Sequence, residues 1–115
     1  MSEFRLQRLG KQIQEEVGAF IVGGKVKDHR VDTFLSITHV DVSKDLSFAD
    51  VYVSSFEDEK SLERGVAGLC SAAGFIQSQV GAKLHIRQIP RLRFHADLSV
   101  REGFDLVKRI EELNR

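Results

Sequence analysis

Apolar residues step by three and four from Leu6 through Leu9, Ile13 and Val17 to Phe20, and this predicts an amphipathic helix over Glu3 to Ile21. Arg5, Arg8 and Lys11 lie beside or opposite that stripe, and Gly23-Gly24 ends it. After the loop KVKDHRVD the period changes from 3.6 to two. TFLSITHVDV (Thr33 to Val42) and SFADVYVSS (Ser47 to Ser55) are rich in β-branched and aromatic residues, and SKDL joins them as an antiparallel hairpin. Ala49, Val51 and Val53 alternate with Asp50, Tyr52 and Ser54, the pattern of a half-buried strand. Glu57-Asp58-Glu59 opens a second helix, with negative charge where the helix dipole favours it. Its buried face is Leu62, Val66, Leu69 and Ala73. Ala72-Ala73-Gly74 interrupts the pattern, and Phe75, Ile76 and Val80 resume it in a third helix ending near Gly81.

A third strand region is expected between about Leu84 and Leu98. There Leu92, Phe94, Ala96 and Leu98 alternate with Arg91, Arg93, His95 and Asp97, so two arginines and a histidine face solvent. Pro90 cannot donate to a ladder and marks a bulge or an entry point. SVREGFDLVKRIEEL reads as a last helix, Ser99 and Glu102 forming a capping box. The order is α-β-β-α-α-β-α, for which helices on one face of a three-stranded sheet are the simplest α+β solution. Repeats, low-complexity tracts and internal linkers are not seen, so residues 1–115 are expected to form one domain.

Composition narrows the class. With 42% hydrophobic and 30% charged residues the chain reads as a globular protein. No apolar run approaches the roughly 20 residues of a membrane span. MSEFRLQRLGK lacks the apolar core of a signal peptide, and the single Cys70 suits a reducing compartment, so a cytoplasmic protein is expected. The formal net charge is zero, yet the charge is unevenly spread. Asp41 to Glu63 holds seven acids and two bases, whereas Gln79 to Arg101 holds five bases and one acid. Such asymmetry points toward polyanion binding, with ordinary solvation as the alternative.

Catalytic chemistry does not stand out. The four histidines, His29, His39, His85 and His95, lack metal-ligand spacing. Asp41, Asp45 and Asp50 flank a hairpin turn without a calcium-loop pattern. Phosphate-loop and dinucleotide fingerprints are missing, so neither a metal nor a cofactor is expected. Cys70 neighbours Leu69 and is expected to be a small packed residue. A glycine inside a helix costs roughly 1 kcal/mol against alanine, so Gly74 asks for a reason. A bend that lets a ligand approach the backbone is one. Gly65-Val66-Ala67-Gly68 competes as a literal G-x-x-G loop, but using it would split the Leu62, Val66, Leu69 stripe.

The α-β-β-α-α-β order is that of a type II KH domain. RLQRLGKQIQEEV, KDHRV, ITHVDVSKDLSFADVYVS, AAGFIQSQVG and IPRLRFHADLSVREG together resemble bacterial ribosome-binding factor A, from Arg5 to about Gly103. One departure is His29, where that family commonly has proline. The resemblance implies that an Ala-x-Gly kink replaces the KH glycine loop, and Ala72-Ala73-Gly74 occupies that place. It further implies a non-catalytic, monomeric RNA-binding factor in maturation of the small ribosomal subunit. Its partners would be 16S rRNA and the 30S subunit, with no membrane. It would favour folding or processing near the RNA 5′ end and support growth in the cold. The candidate RNA-binding residues are Arg5, Arg8 and Lys11 on the first helix, Ala72, Gly74 and Gln77 at the kink, Lys83 and Arg87 after it, and Arg91 and Arg93 on the last strand. N–H groups at Phe75, Ile76 and Gln77 are expected to face an anion. A protein-interaction module of the same fold, docking a basic partner on the acidic hairpin, is the rival reading. An acylphosphatase-like hydrolase would need a placed asparagine, and the only one is Asn114 near the C-terminus.

Overall fold

The computed structural model describes residues 3–86 and 88–99. Within them the order is α1 (Glu3–Val22), β1 (Leu35–Val42), β2 (Phe48–Ser55), α2 (Glu59–Ser71), α3 (Ala73–Leu84) and β3 (Arg91–Ala96). The α-β-β-α-α-β order of a KH-like α+β fold is met. Arg87 and the helix expected after Ser99 lie outside the described residues.

The three strands form one sheet in the order β1-β2-β3. The β1–β2 hairpin is antiparallel, and β3 returns parallel to β2 after the helical crossover. Alternation decides the faces. Ala49, Val51 and Val53 of β2 are fully buried, as are Ile13 and Val17 of α1 and Ile76 and Val80 of α3. Leu62 and Leu69 of α2 and Leu92 and Phe94 of β3 complete this core. Burying each such aliphatic side chain contributes about 1.5–3 kcal/mol, which holds all three helices on one sheet face. The opposite face carries Asp41, Asp50 and Arg93 in one row and His39, Tyr52 and His95 in the next.

Local chemistry fixes the joints. The register shifts between Ile37 and His39, a bulge at Thr38. The Ile37 carbonyl accepts from Gln14 Nε2 of α1 at 3.0 Å, and Thr38 Oγ1 donates to Asp97 Oδ2 at 2.5 Å. In the hairpin turn Asp45 Oδ1 accepts from the Ser47 N–H and Ser43 Oγ, which holds its carboxyl below the usual range. Gly24, at φ +65°, closes α1 in a Schellman motif: its N–H donates to the Ile21 carbonyl and that of Lys25 to the Phe20 carbonyl.

Several boundaries depart from expectation. Asp58 is the N-cap of α2, its side chain accepting from the Ser61 N–H at 2.8 Å, so the helix starts at Glu59 rather than Glu57. Ala73 begins α3 instead of finishing the buried face of α2, and Val66 is only half-buried. The last strand is shorter than expected, because α3 continues through Leu84 and stops at His85, a left-handed C-cap (φ 55°, ψ 38°). Cys70 is exposed rather than packed; its Sγ lies 3.7 Å from the Phe94 carbonyl.

Candidate nucleic-acid interface

Ala72 makes the kink between α2 and α3 with φ −93° and ψ 4°, a conformation open to any L-residue. Its N–H donates to the Gly68 carbonyl and its carbonyl accepts from the Ile76 N–H, so the bend costs little hydrogen bonding. Gly74 does not make the turn. A Cβ there would meet nothing within 4 Å, and the backbone is not left-handed. The expected anion-facing N–H groups therefore shift toward the N-terminus. Ile76 is already paired, and the first-turn N–H groups that the helix itself leaves over are those of Ala73, Gly74 and Phe75. Gln77 is spoken for in part, its Oε1 accepting from the Leu92 N–H at 3.2 Å.

The rival glycines behave differently. A Cβ on Gly65 would lie 2.6 Å from Leu35 Cδ1, and one on Gly68 would lie 2.8 Å from Val31 Cγ2. Both glycines are buried and let α2 approach β1 and the loop before it. The Gly65–Gly68 pair is thus a packing device within a continuous helix.

The basic candidates separate into three regions. Arg5, Arg8 and Lys11 are exposed on the first half of α1. Lys11 reaches a groove beside His39, Asp41 and Lys44 of the hairpin. Arg91 and Arg93 stand on the sheet face away from the helices. Arg93 is committed there: Nε and Nη2 donate to Asp50 at 2.8 and 3.1 Å, and its guanidinium lies 4.2 Å from the Phe48 ring centroid. His95 Nε2 also bonds Asp50 at 2.8 Å. These bonds, Arg93 first, hold the Asp50 carboxyl below its usual range. Asp41 stands in the same row of that face as Asp50 and Arg93, so acids and bases are interspersed there.

The third region is the helical edge around the kink, and it gains residues that sequence reasoning missed. Lys83, in the last turn of α3, lines a groove with Phe75 and Gln79 of α3 and with Lys25 and Lys27 from the loop after α1. Val26 is buried between the two lysines, so the K-V-K alternation directs both outward. Arg30 ties the loop down. Its Nη2 donates to Ser71 Oγ at 3.0 Å, just before the kink, and to Asp28 Oδ2 at 2.6 Å. The Arg30 bonds hold the Asp28 carboxyl well below the usual range, so the carboxylate next to Lys27 is internally matched. The alternation is visible in KVK, but only the fold brings it beside Lys83, 56 positions on from Lys27 by numbering.

Among the described residues no group of histidine, cysteine, aspartate and glutamate could hold a metal ion, and no helix is long and apolar enough to cross a membrane. Residues 5–112 match the family Ribosome-binding factor A. The ribosome-binding factor A of Treponema denticola is 55% identical over 113 residues, covering 98% of this chain and 86% of that protein. That of Treponema pallidum is 49% identical over 113 residues, covering 98% and 90%. The crystal structure of ribosome-binding factor A from Thermus thermophilus superposes with a TM-score of 0.67 at 26% identity, over 79% of this chain and 93% of that one.

Proposed function

The chain belongs to the ribosome-binding factor A family, and we propose that it is a non-catalytic assembly factor that binds 16S rRNA in free or immature 30S subunits. It assists late maturation, including processing of the RNA 5′ end, in the cytoplasm and as a monomer, with its greatest effect at low temperature. The observation that carries this reading is the family match over residues 5–112. The basic helical edge supports it in physical terms. Lys25, Lys27 and Lys83, which share one groove beside α3, contribute sequence-independent affinity for a phosphate backbone, and folded RNA is recognised largely by shape and backbone.

The kink residues Ala72 and Gly74, together with Lys83, form the centre of the proposed RNA contact. Arg5, Arg8 and Lys11 provide a second one about 16 Å or more along α1, from the helical rise between Lys11 and Val22. Gln77 and Arg93 serve chiefly to pin β3, through Leu92 and Asp50. Removing the protein from its host and mapping 16S rRNA ends tests the function. The expected result is accumulation of free small subunits carrying unprocessed 5′ ends, stronger in the cold and reversed by the intact chain. Normal ends and normal subunit ratios at every temperature would refute it.

A further inference from the structure

The groove between the α1–β1 loop and α3 combines three properties. Phe75 is a large apolar side chain left 50% exposed at the start of α3. Lys25, Lys27 and Lys83 share the groove with it, and among the described residues no carboxylate lines it. The walls are set by the fold: Gly24 closes α1, Val26 anchors the loop in the core, and Arg30 fastens that loop to Ser71. An exposed ring in a groove lined by three lysines, with Lys25 Nζ lying 5.4 Å from the Phe20 ring centroid, matches a ligand with a planar apolar surface and adjoining anionic charge. A duplex offers phosphates but keeps its base faces stacked inside. An acidic peptide offers charge without an obligatory ring. Single-stranded RNA offers both.

We propose that this groove is a single-stranded RNA site in which one unpaired base stacks on Phe75 while Lys25, Lys27 and Lys83 contact the flanking phosphates. The proposal rests on the RNA-binding reading and specifies where and in what form the RNA is held. Base–aromatic stacking is sequence-tolerant, so the site selects unpaired structure rather than a sequence. It would therefore report whether a segment of an immature subunit is still unfolded.

The test replaces Phe75 with tryptophan, a substitution the half-exposed position accommodates and one that gives a chain otherwise lacking tryptophan a single reporter. Titration of full-length Phe75→Trp with a short single-stranded oligonucleotide should quench its emission. Hairpin-free duplex RNA and polyglutamate should quench it far less. In the otherwise natural chain Phe75→Ala should weaken oligonucleotide binding roughly tenfold or more. Replacing Lys25, Lys27 and Lys83 by glutamine should lower the slope of log K against log salt by about 2, at ~0.7 for each phosphate contact on a single strand. Equal quenching by duplex, or quenching by polyglutamate alone, would overturn the proposal, the latter in favour of an acidic protein partner. Pelleting with purified small subunits separates the two levels. If Phe75→Ala pellets like the natural chain and oligonucleotide quenching is absent, the groove proposal fails and the subunit reading stands. If the natural chain does not pellet, the subunit reading itself fails.

Discussion

Replacing Gly65 and Gly74 separately by alanine should move stability in opposite directions, although both glycines lie in helices within ten residues of each other. At Gly74 the added methyl meets nothing within 4 Å and the backbone needs no left-handed angle. Only the conformational entropy of the unfolded chain changes, which stabilises by about 0.5 kcal/mol in a first helical turn, below the ~1 kcal/mol of a helix interior. At Gly65 the same propensity gain of ~1 kcal/mol is opposed by a methyl 2.6 and 2.7 Å from the two Leu35 Cδ atoms and 3.1 Å from its Cγ. Leu35 is only 3% exposed and packed into the core, so it has little room to give way. Overpacking of this kind costs roughly 1–3 kcal/mol, leaving a net loss near 1 kcal/mol. For a chain of this size 1 kcal/mol is about 4 °C in Tm. Thermal and urea melts of both variants should thus show Gly74→Ala slightly above the natural chain and Gly65→Ala a few degrees below it. On the proposed RNA contact, Gly74→Ala should nevertheless bind small subunits more weakly, because the methyl would hold a phosphate away from the backbone. A destabilised Gly74→Ala would return the glycine to a structural role. A stabilised Gly65→Ala would refute the packing argument against the G-x-x-G loop.

Other consequences follow from single contacts. Asp58→Ala removes the α2 N-cap and should cost about 1 kcal/mol in urea unfolding at neutral pH. Leu69→Ala, at a fully buried site, should cost roughly 2–5 kcal/mol in the same assay. Asp50 is held below its ordinary carboxylate range by Arg93 and then His95. Its contribution is therefore complete above the unfolded carboxylate range and is lost as pH falls through the lower folded value. Asp50→Asn should flatten the acid limb of a stability-against-pH curve; an unchanged limb would show that the Arg93 pairing contributes nothing. Exposed Cys70 should react with an aromatic disulfide reagent in the native protein at one thiol per chain, without urea.

Much of this architecture is legible in the chain, for identifiable reasons. Ala49, Val51 and Val53 alternate strictly because one sheet face is buried, and Leu6 to Phe20 repeats at 3.6 because α1 covers it. The end of α3 is not legible. A glycine-based rule stops the helix at Gly81, but that glycine packs against Ile89, and the helix ends on left-handed His85 instead. The site is legible only in part. The Arg93–Asp50 pairing spans 43 residues and depends on the parallel register of β2 and β3, so a strand read alone presents Arg93 as free. The lysines of KVK look like loop solvation until Arg30 and Val26 fix them beside Phe75. Conversely, the interrupted helical pattern marks Gly74, while the turn itself belongs to Ala72, whose ordinary side chain gives no sign of it.

Attachment to the small ribosomal subunit through a basic RNA-binding edge, as proposed, can be read by sedimenting cell extract at low and moderate salt and following the protein across the gradient. The protein should co-migrate with free small subunits at low salt, lose that co-migration as salt rises, and lose it at low salt when Lys25, Lys27 and Lys83 are reversed in charge. Protein that stays at the top of the gradient at every salt concentration, in cold-grown cells as well as warm, would contradict it.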